Sequence, residues 1–92
     1  GTAQSGANVL LGYHVGYNLT TGAKNNAVGY KALQALTSGS DNQAFGWAAL
    51  SNLTSGNNNV GIGRNTGLYN ITGANNVLIG NYSGQGASGN SY

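Results

Sequence analysis

Five glycines recur along this chain at an unbroken spacing of 17 residues, and most other positions keep the same spacing. They are Gly12, Gly29, Gly46, Gly63 and Gly80. An asparagine stands four residues before each of them, at Asn8, Asn25, Asn42, Asn59 and Asn76. A strict short period predicts a solenoid, in which each coil packs only on its neighbours. We expect about five coils over residues 7–84, with residues 1–6 as a lead-in and residues 85–92 as a Gly/Ser-rich tail or joining segment.

The repeat unit contains one or two short apolar segments, separated by turns rich in Gly, Ser and Asn. Short apolar segments bounded by such turns are typical of strands. The fold prediction is therefore all-β, a β-solenoid with 17-residue coils. The second segment also fits one helical turn, because Ala32, Leu33 and Leu36 have helical spacing and Gly39 stands where a C-terminal cap would. Short helical turns remain an alternative there.

Two neighbouring positions precede each repeated glycine, and both favour apolar residues. The nearer position is always large: Leu11, Val28, Phe45, Ile62 and Ile79. The other holds Leu10, Ala27, Ala44, Gly61 and Leu78. Neighbours in a strand point to opposite faces, so both faces are expected to be packed. This favours a homo-oligomer, with a trimer as the first choice. The predicted interface consists of the second set, Leu10, Ala27, Ala44, Gly61 and Leu78. The alternative is that its small members are exposed.

The repeated asparagines and glycines are expected to act structurally. Asparagines in register on stacked coils form a ladder in which each side-chain amide bonds the next. Glycine at the repeated site supplies a positive φ or lets neighbouring coils approach closely. We prefer these functions to any ligand-binding one.

Charge is almost absent from this chain. Lys24, Lys31, Arg64 and Asp41 are the only charged side chains, so the net charge of +2 produces little field and does not indicate nucleic acid as a partner. Low charge also removes a usual protection against association of strand edges. We therefore expect a stable assembly or capping by other segments. No apolar run is long enough to predict insertion into a membrane.

Residues for catalysis or metal binding are scarce. His14 is the only histidine, Asp41 the only carboxylate side chain, and cysteine is absent. The two lie in different units, so no acid–base pair, triad or metal cluster is predicted within one chain. The prediction is a protein that is not an enzyme and has no catalytic residue, metal or cofactor.

Aromatic residues follow the repeated glycine in three successive units, at Tyr13, Tyr30 and Trp47, and Arg64 and Asn81 continue the column. Such a column stabilises the stack through aromatic contacts, which we prefer. The alternative is a contact column for cell-surface glycans, formed by the three aromatic residues and Arg64.

Hydroxyl and amide side chains suggest two further surface functions. Thr20, Thr37 and Thr54 form a hydroxyl column of the kind that an ice-binding coil presents, although formation of turns explains them more simply. Four sequences fit the N-glycosylation motif, at Asn18, Asn52, Asn70 and Asn81. These motifs matter only if the source glycosylates its surface proteins.

The second and third units, residues 25–39 and 42–56, read Asn-x-Ala-(Val/Phe)-Gly-aromatic, followed by Ala-Leu and a Thr-Ser-Gly turn. They resemble repeats of phage tail-fibre-like and bacterial surface proteins, which carry Asn-Thr-Ala-Ile-Gly-Tyr-type cores followed by Ala-Leu and a Thr-Thr-Gly turn. The heads of trimeric autotransporter adhesins are more distantly similar. The resemblance covers about residues 7–84, although the last two units depart from it. It implies a trimeric, extracellular fibre without enzymatic activity, and it names no receptor.

The function prediction is a structural shaft of an extracellular or virion appendage, located at a cell or virion surface, which extends or displays an adhesive tip. Its expected partner is itself. The alternatives are a subunit that stacks end to end into a filament, and a monomeric solenoid that binds ice or carbohydrate.

Overall fold

A computed structural model describes residues 3–4, 6–68 and 70–84. This part of the chain is all-β, with six strands and no helix. The strands are β1 (Ala3–Gln4), β2 (Asn8–Leu11), β3 (Asn26–Val28), β4 (Gln43–Phe45), β5 (Val60–Ile62) and β6 (Val77–Ile79). The predicted tail, residues 85–92, lies outside the described residues.

The strands form one sheet in the order β1-β2-β3-β4-β5-β6. Strands β2 to β6 are parallel, so the chain makes about four turns of a β-solenoid between β2 and β6. The register pairs Leu10 with Ala27, Ala27 with Ala44, Ala44 with Gly61 and Gly61 with Leu78. Each step therefore joins residues that are 17 positions apart. The lead-in contributes β1, which pairs antiparallel with β2 and covers its outer edge.

The repeated glycine ends each strand by an unusual backbone conformation. From Gly12 to Gly80, the φ angle of these five residues lies between 122° and 138°. Side chains rarely tolerate this region, which glycine enters at little cost. Glycine also allows close approach, because a Cβ at Gly12 would lie 2.6 Å from the carbonyl oxygen of Gly29 in the next coil. Both predicted functions of the repeated glycine are therefore present in the structure.

Three further columns in each coil have left-handed backbone, with φ between 50° and 72°. They are Ala7, Lys24, Asp41, Asn58 and Asn75; His14, Lys31, Ala48, Asn65 and Tyr82; and Gly16, Leu33, Leu50, Gly67 and Gly84. This conformation is favourable for Gly and tolerable for Asn and Asp, which explains part of the bias of the composition toward Gly and Asn. Because the backbone reverses so often, the parallel strands β2 to β6 stay three or four residues long.

The second apolar segment is neither strand nor helix, which corrects both expectations for it. In residues 30–39 the left-handed φ angles of Lys31 and Leu33 interrupt any right-handed helix and any extended strand. Turns form instead: the backbone N–H of Leu36 donates to the carbonyl of Leu33 at 3.2 Å. The N–H of Leu33 donates to the carbonyl of Ala49 in the next coil at 3.1 Å. The turn segment is therefore also hydrogen-bonded from coil to coil.

The core lies between the strands and this turn segment, and two of its columns are complementary in size. The strand core column is Leu10, Ala27, Ala44, Gly61 and Leu78. The turn core column is Gly16, Leu33, Leu50, Gly67 and Gly84. A large residue in one column stands by a small residue in the other in four of the five coils. Where both are glycine, at Gly61 and Gly67, Leu50 and Leu78 fill the space from the neighbouring coils.

The strand core column is the set that the sequence analysis assigned to an oligomer face, and that assignment is wrong. Ala27 and Ala44 are 0% exposed, and Leu10 and Leu78 are also buried within the single chain. The small members are small because Leu33 and Leu50 occupy the space beside them, and not because a second chain approaches there. The position next to them along each strand faces outward instead.

Candidate functional site

One face of the sheet carries an exposed column of large apolar side chains, one from each parallel strand. We define this outer apolar column as Leu11, Val28, Phe45, Ile62 and Ile79. Its members are between 37% and 66% exposed. They lie on the face opposite the strand core column, because successive residues of a strand alternate. Val9, Val60 and Val77 stand on the same face one column away, and only Val60 is more than half-buried there.

Strands β2 to β6 carry no charged side chain on this face. The neighbouring column also contains Asn26 and Gln43, and the Nδ2 of Asn26 donates to the Oε1 of Gln43 at 2.8 Å. The outer apolar column is therefore continuous from β2 to β6, and its polar neighbours are uncharged amides. The sequence predicts large residues in this column, but the predicted oligomer face is the opposite one, Leu10 to Leu78.

The asparagine ladder lies at the edge of the core and is buried throughout. The Nδ2 of Asn25 donates to the Oδ1 of Asn8 at 3.0 Å, and the same bond recurs at each following coil. The Nδ2 also donates to a glycine carbonyl, as Asn42 does to Gly56 at 2.9 Å. The ladder thus satisfies amides that would be costly to bury alone. It has the predicted structural function, and its burial leaves no access for a ligand.

The aromatic column is a stack of rings along the solenoid. The ring centroids of Tyr13 and Tyr30 are 5.3 Å apart, and those of Tyr30 and Trp47 are 5.2 Å apart, with interplanar angles of 10° and 16°. The guanidinium carbon of Arg64 lies 4.8 Å from the centroid of the Trp47 ring. These are the four residues that the sequence grouped as a glycan-contact column, and the structure brings them together.

The stack is longer than the 17-residue period indicates. At one end His14 lies between Tyr13 and Tyr17, with centroid distances of 4.0 and 4.4 Å. At the other end Arg64 is 5.9 Å from the ring of Tyr82. His14, Tyr17 and Tyr82 are not in the Tyr13 column, so the 17-residue repeat does not predict them as part of the stack. They follow a column member by one to four residues, and the left-handed φ of His14 and Tyr82 contributes to bringing them there.

Stacking decides which part of each aromatic ring meets solvent. Each face of the Tyr30 ring is covered by a neighbouring ring, yet Tyr13 is 57% exposed and Trp47 is 47% exposed. The exposed parts of a stacked ring are its edges. A sugar packed on an aromatic face, as first considered, would have to separate rings that already contact each other.

The threonine column is used inside the molecule. The Oγ1 atoms of Thr20, Thr37 and Thr54 each donate to a backbone carbonyl in the next coil, at 3.0 to 3.2 Å. This pattern agrees with the turn-forming function that the sequence analysis preferred. Ile71 occupies the same column in the fourth coil, and its carbonyl accepts the bond from Thr54.

Three of the four glycosylation motifs are accessible and one is not. Asn18, Asn52 and Asn81 are exposed. Asn70 is 2% exposed, because it belongs to the column of Leu19, Leu36 and Leu53 that packs on the core. Its Oδ1 accepts from the backbone N–H of Gly73 at 2.9 Å, and its Nδ2 finds no partner in the described part of the chain. The prediction of a glycosylation site at Asn70 is therefore wrong, because in the folded coil this side chain is not available for modification.

The described residues contain no cavity, no group of three or more metal-ligating side chains, and no helix that is long and apolar enough to span a membrane. His14 is in the aromatic stack, whereas Asp41 is in a different column of left-handed residues. The surfaces left for a partner are the outer apolar column and the aromatic stack, because the hydroxyls of the threonine column donate within the molecule.

No protein-family model matches this sequence, and comparison with curated proteins and with solved structures gives no significant match. The resemblance to tail-fibre-like repeats thus depends on the repeat residues alone.

Proposed function

We propose that this chain is a structural, non-enzymatic segment of a fibre on an extracellular or virion appendage, and that it assembles as a homotrimer. The outer apolar column is the contact surface between copies. In this proposal the 17-residue coil is the unit of length, and the assembled coils extend or display an adhesive tip.

The observation that carries this proposal is the length and continuity of the outer apolar column. Five large side chains in line along the sheet cover roughly 20 Å at the spacing of neighbouring strands. Large contiguous apolar surfaces are unusual on soluble monomers and typical of interfaces. Since the column repeats once per coil, a second copy with the same repeat matches it along its whole length.

The distribution of charge supports contact between identical chains. Two copies of a charged surface repel each other, whereas this face has no charged side chain. The chain has only four charged side chains in total, so association is opposed by little electrostatic repulsion at any orientation. Closed rotational symmetry would cover the outer apolar columns of all copies at once, which open packing cannot do.

The two alternatives receive less support. End-to-end stacking needs an open edge on β2, but β1 pairs with that edge. Ice binding by the threonine column needs hydroxyls free to order water, but Thr20, Thr37 and Thr54 donate to carbonyls of the coil. Neither alternative explains why the sheet face is apolar.

The proposal is tested by measuring mass over a dilution series, with sedimentation equilibrium or light scattering. We expect three times the chain mass of 9.2 kDa. The variant Ile62→Thr removes apolar contact at three symmetric places and keeps a β-branched residue in the strand. We expect the concentration at which the oligomer dissociates to rise about tenfold or more, since 1.4 kcal/mol is a factor of ten.

Ile71→Thr is the matched control. Ile71 is 39% exposed and Ile62 is 40% exposed, but Ile71 lies in the threonine column, away from the sheet. Its replacement makes the fourth coil like the first three, and the dissociation concentration should stay unchanged. A stable monomer at all concentrations, or equal effects of the two variants, would contradict the proposed interface.

A further inference from the structure

The aromatic stack exposes a rim that favours negative charge. An aromatic ring is electron-rich on its faces and electron-poor at its edge. In the stack the faces of Tyr30 are covered by Tyr13 and Trp47, so the edges are presented to solvent together with hydrogen-bond donors. The tyrosine hydroxyls and the indole N–H are such donors. The stack thus offers the part of each ring that attracts acceptors and anions.

Two of the three cationic side chains of the chain lie on this stack. The Nζ of Lys31 is 5.1 Å from the centroid of the Tyr30 ring, and the guanidinium of Arg64 is 4.8 Å from that of Trp47. The single acidic side chain, Asp41, is in another column, together with Lys24. The positive charge of the molecule is therefore concentrated on the aromatic stack, next to ring edges that themselves favour anions.

Arg64 is held in place before any ligand arrives. Its guanidinium lies between the rings of Trp47 and Tyr82, and its backbone N–H donates to the Oδ1 of Asn81 at 2.9 Å. The residue is nevertheless exposed. A guanidinium stacked on aromatic faces keeps its in-plane N–H donors available for a bidentate bond to a carboxylate or sulfate.

The members of the stack repeat along the solenoid at 5.3, 5.2 and 4.8 Å from Tyr13 to Arg64. This distance is comparable to the length of one sugar unit in an extended polysaccharide. A linear polymer that carries hydroxyls on every unit and acidic groups at intervals therefore matches both the spacing and the donors. Packing of neutral sugars on the faces of the inner rings does not, since both faces of Tyr30 are covered by Tyr13 and Trp47.

We infer that the aromatic stack is a binding site for a linear acidic polysaccharide, which lies along the solenoid axis with an acidic group on Arg64. Carboxylate and sulfate groups share the required chemistry. The site goes beyond the proposed shaft function and does not depend on the homotrimer, because binding is measured separately from mass.

The test is calorimetric titration of the full chain with polygalacturonate, dextran sulfate and neutral dextran. We expect binding to at least one of the two acidic polymers and none to dextran. The ratio of the association constants for polygalacturonate and dextran sulfate shows whether the site prefers carboxylate or sulfate. Arg64→Asn places in the fourth coil the residue that the fifth coil has at the same position, and it should lower the association constant about tenfold. Arg64→Lys keeps the positive charge but lacks the paired N–H donors of the guanidinium. Its association constant should therefore lie between those of Arg64→Asn and the unchanged chain.

Lys24→Asn is the matched control, because it makes the same change of charge in a different column whose later members are Asn58 and Asn75. It should change the association constant less than about twofold. Equal losses in Arg64→Asn and Lys24→Asn would overturn the proposal, since binding would then follow net charge. Binding of single-stranded DNA as tight as that of the acidic polysaccharides would overturn it too, as would no binding by any polymer.

Discussion

At the scale of single residues, the most demanding positions of this chain are the buried asparagines. Asn42 shows the arrangement. Its Nδ2 donates to Asn25 and to the carbonyl of Gly56, and its Oδ1 accepts from the backbone N–H and the Nδ2 of Asn59, at 2.9 to 3.1 Å. Every hydrogen-bonding direction of the amide is used. The side chain therefore links three coils, and no other residue type has both the donors and the acceptor at this length.

Replacement of Asn42 by Ala should lower the free energy of unfolding by about 3 kcal/mol or more, because buried donors and acceptors lose their partners. Asn52→Ala is the control: it removes an amide that is exposed and donates to the carbonyl of Leu68, so we expect a loss of about 1 kcal/mol or less. Urea denaturation at one fixed chain concentration measures both. Similar losses in the two variants would show that the ladder contributes little.

Asn42→Asp adds a dependence on pH. An ionised carboxylate cannot donate to Asn25 and Gly56, so burial and these carbonyls would raise its pKa above the ordinary value for Asp. The folded state would then keep a proton that the unfolded state releases. The stability of this variant should fall as the pH rises from about 4 to about 8, while that of Asn42→Ala should change much less.

At the scale of the elements, the sheet shows which part of the fold the sequence predicts. The period, the five coils' strands and the asparagine ladder follow from residues in register, because stacking places equal positions above one another. Which face of each strand points into the core does not follow from the repeat. Alternation separates two faces of a strand, but Ala27 and Ala44 are compatible with a core and with an interface. What distinguishes them is a second column, Gly16 to Gly84, whose sizes are complementary.

The complementary columns predict a rescue by paired substitution. Leu10→Ala alone leaves a cavity and should lower the free energy of unfolding by about 2–5 kcal/mol. Gly16→Leu alone should overpack the coil, since a Cβ there would lie 2.8 Å from the Cδ1 of Leu10. The double variant reproduces the pair Ala27 and Leu33. Leu33 already adopts this left-handed backbone, with φ of 52° compared with 56° at Gly16, so the fold accommodates leucine there despite the backbone strain.

A double-mutant cycle measures this rescue. We expect the double variant to be more stable than the sum of the single changes predicts, by about 1–3 kcal/mol. The additive reference is Leu10→Ala combined with Leu53→Ala, since Leu53 is buried two coils away. Additivity in the Leu10 and Gly16 pair would mean that the two columns do not share space as described.

The candidate site was predictable to a similar extent. Tyr13, Tyr30, Trp47 and Arg64 are in register, and the structure stacks them. The ends of the stack, at Tyr17 and Tyr82, depend on left-handed turns that bring residues of different register together, and a repeat alignment contains no such information. Sequence also cannot show that stacking covers the ring faces, which changes the class of sugar that we expect.

At the scale of the whole molecule, the two ends of the coil differ. β1 covers the outer edge of β2, while no strand of the described residues pairs with the outer edge of β6. Exposed strand edges promote association. The hairpin of β1 and β2 therefore closes one end of the coil against addition of further copies.

Removal of residues 1–5 should open this end. We expect the truncated chain to form assemblies whose mass increases with concentration and time, as the β6 edge of one copy pairs with the β2 edge of the next. Light scattering follows the growth. A small amount of full-length chain should limit it, because that chain retains β1. If the truncated chain keeps the mass of the full-length protein, β1 does not have this protective function.

The constant register of the strand pairs also affects how such a protein changes over generations. Tandem repeats within a gene can gain or lose a unit during replication, and a unit of 17 codons would change the chain length without a frameshift. Gain or loss of a coil should be tolerated best in the middle of the solenoid, because Ala27 with Leu33 and Ala44 with Leu50 have the same packing. Inherited variants of this molecule should therefore differ in length by whole coils. The length of the solenoid would then be set by the number of coils.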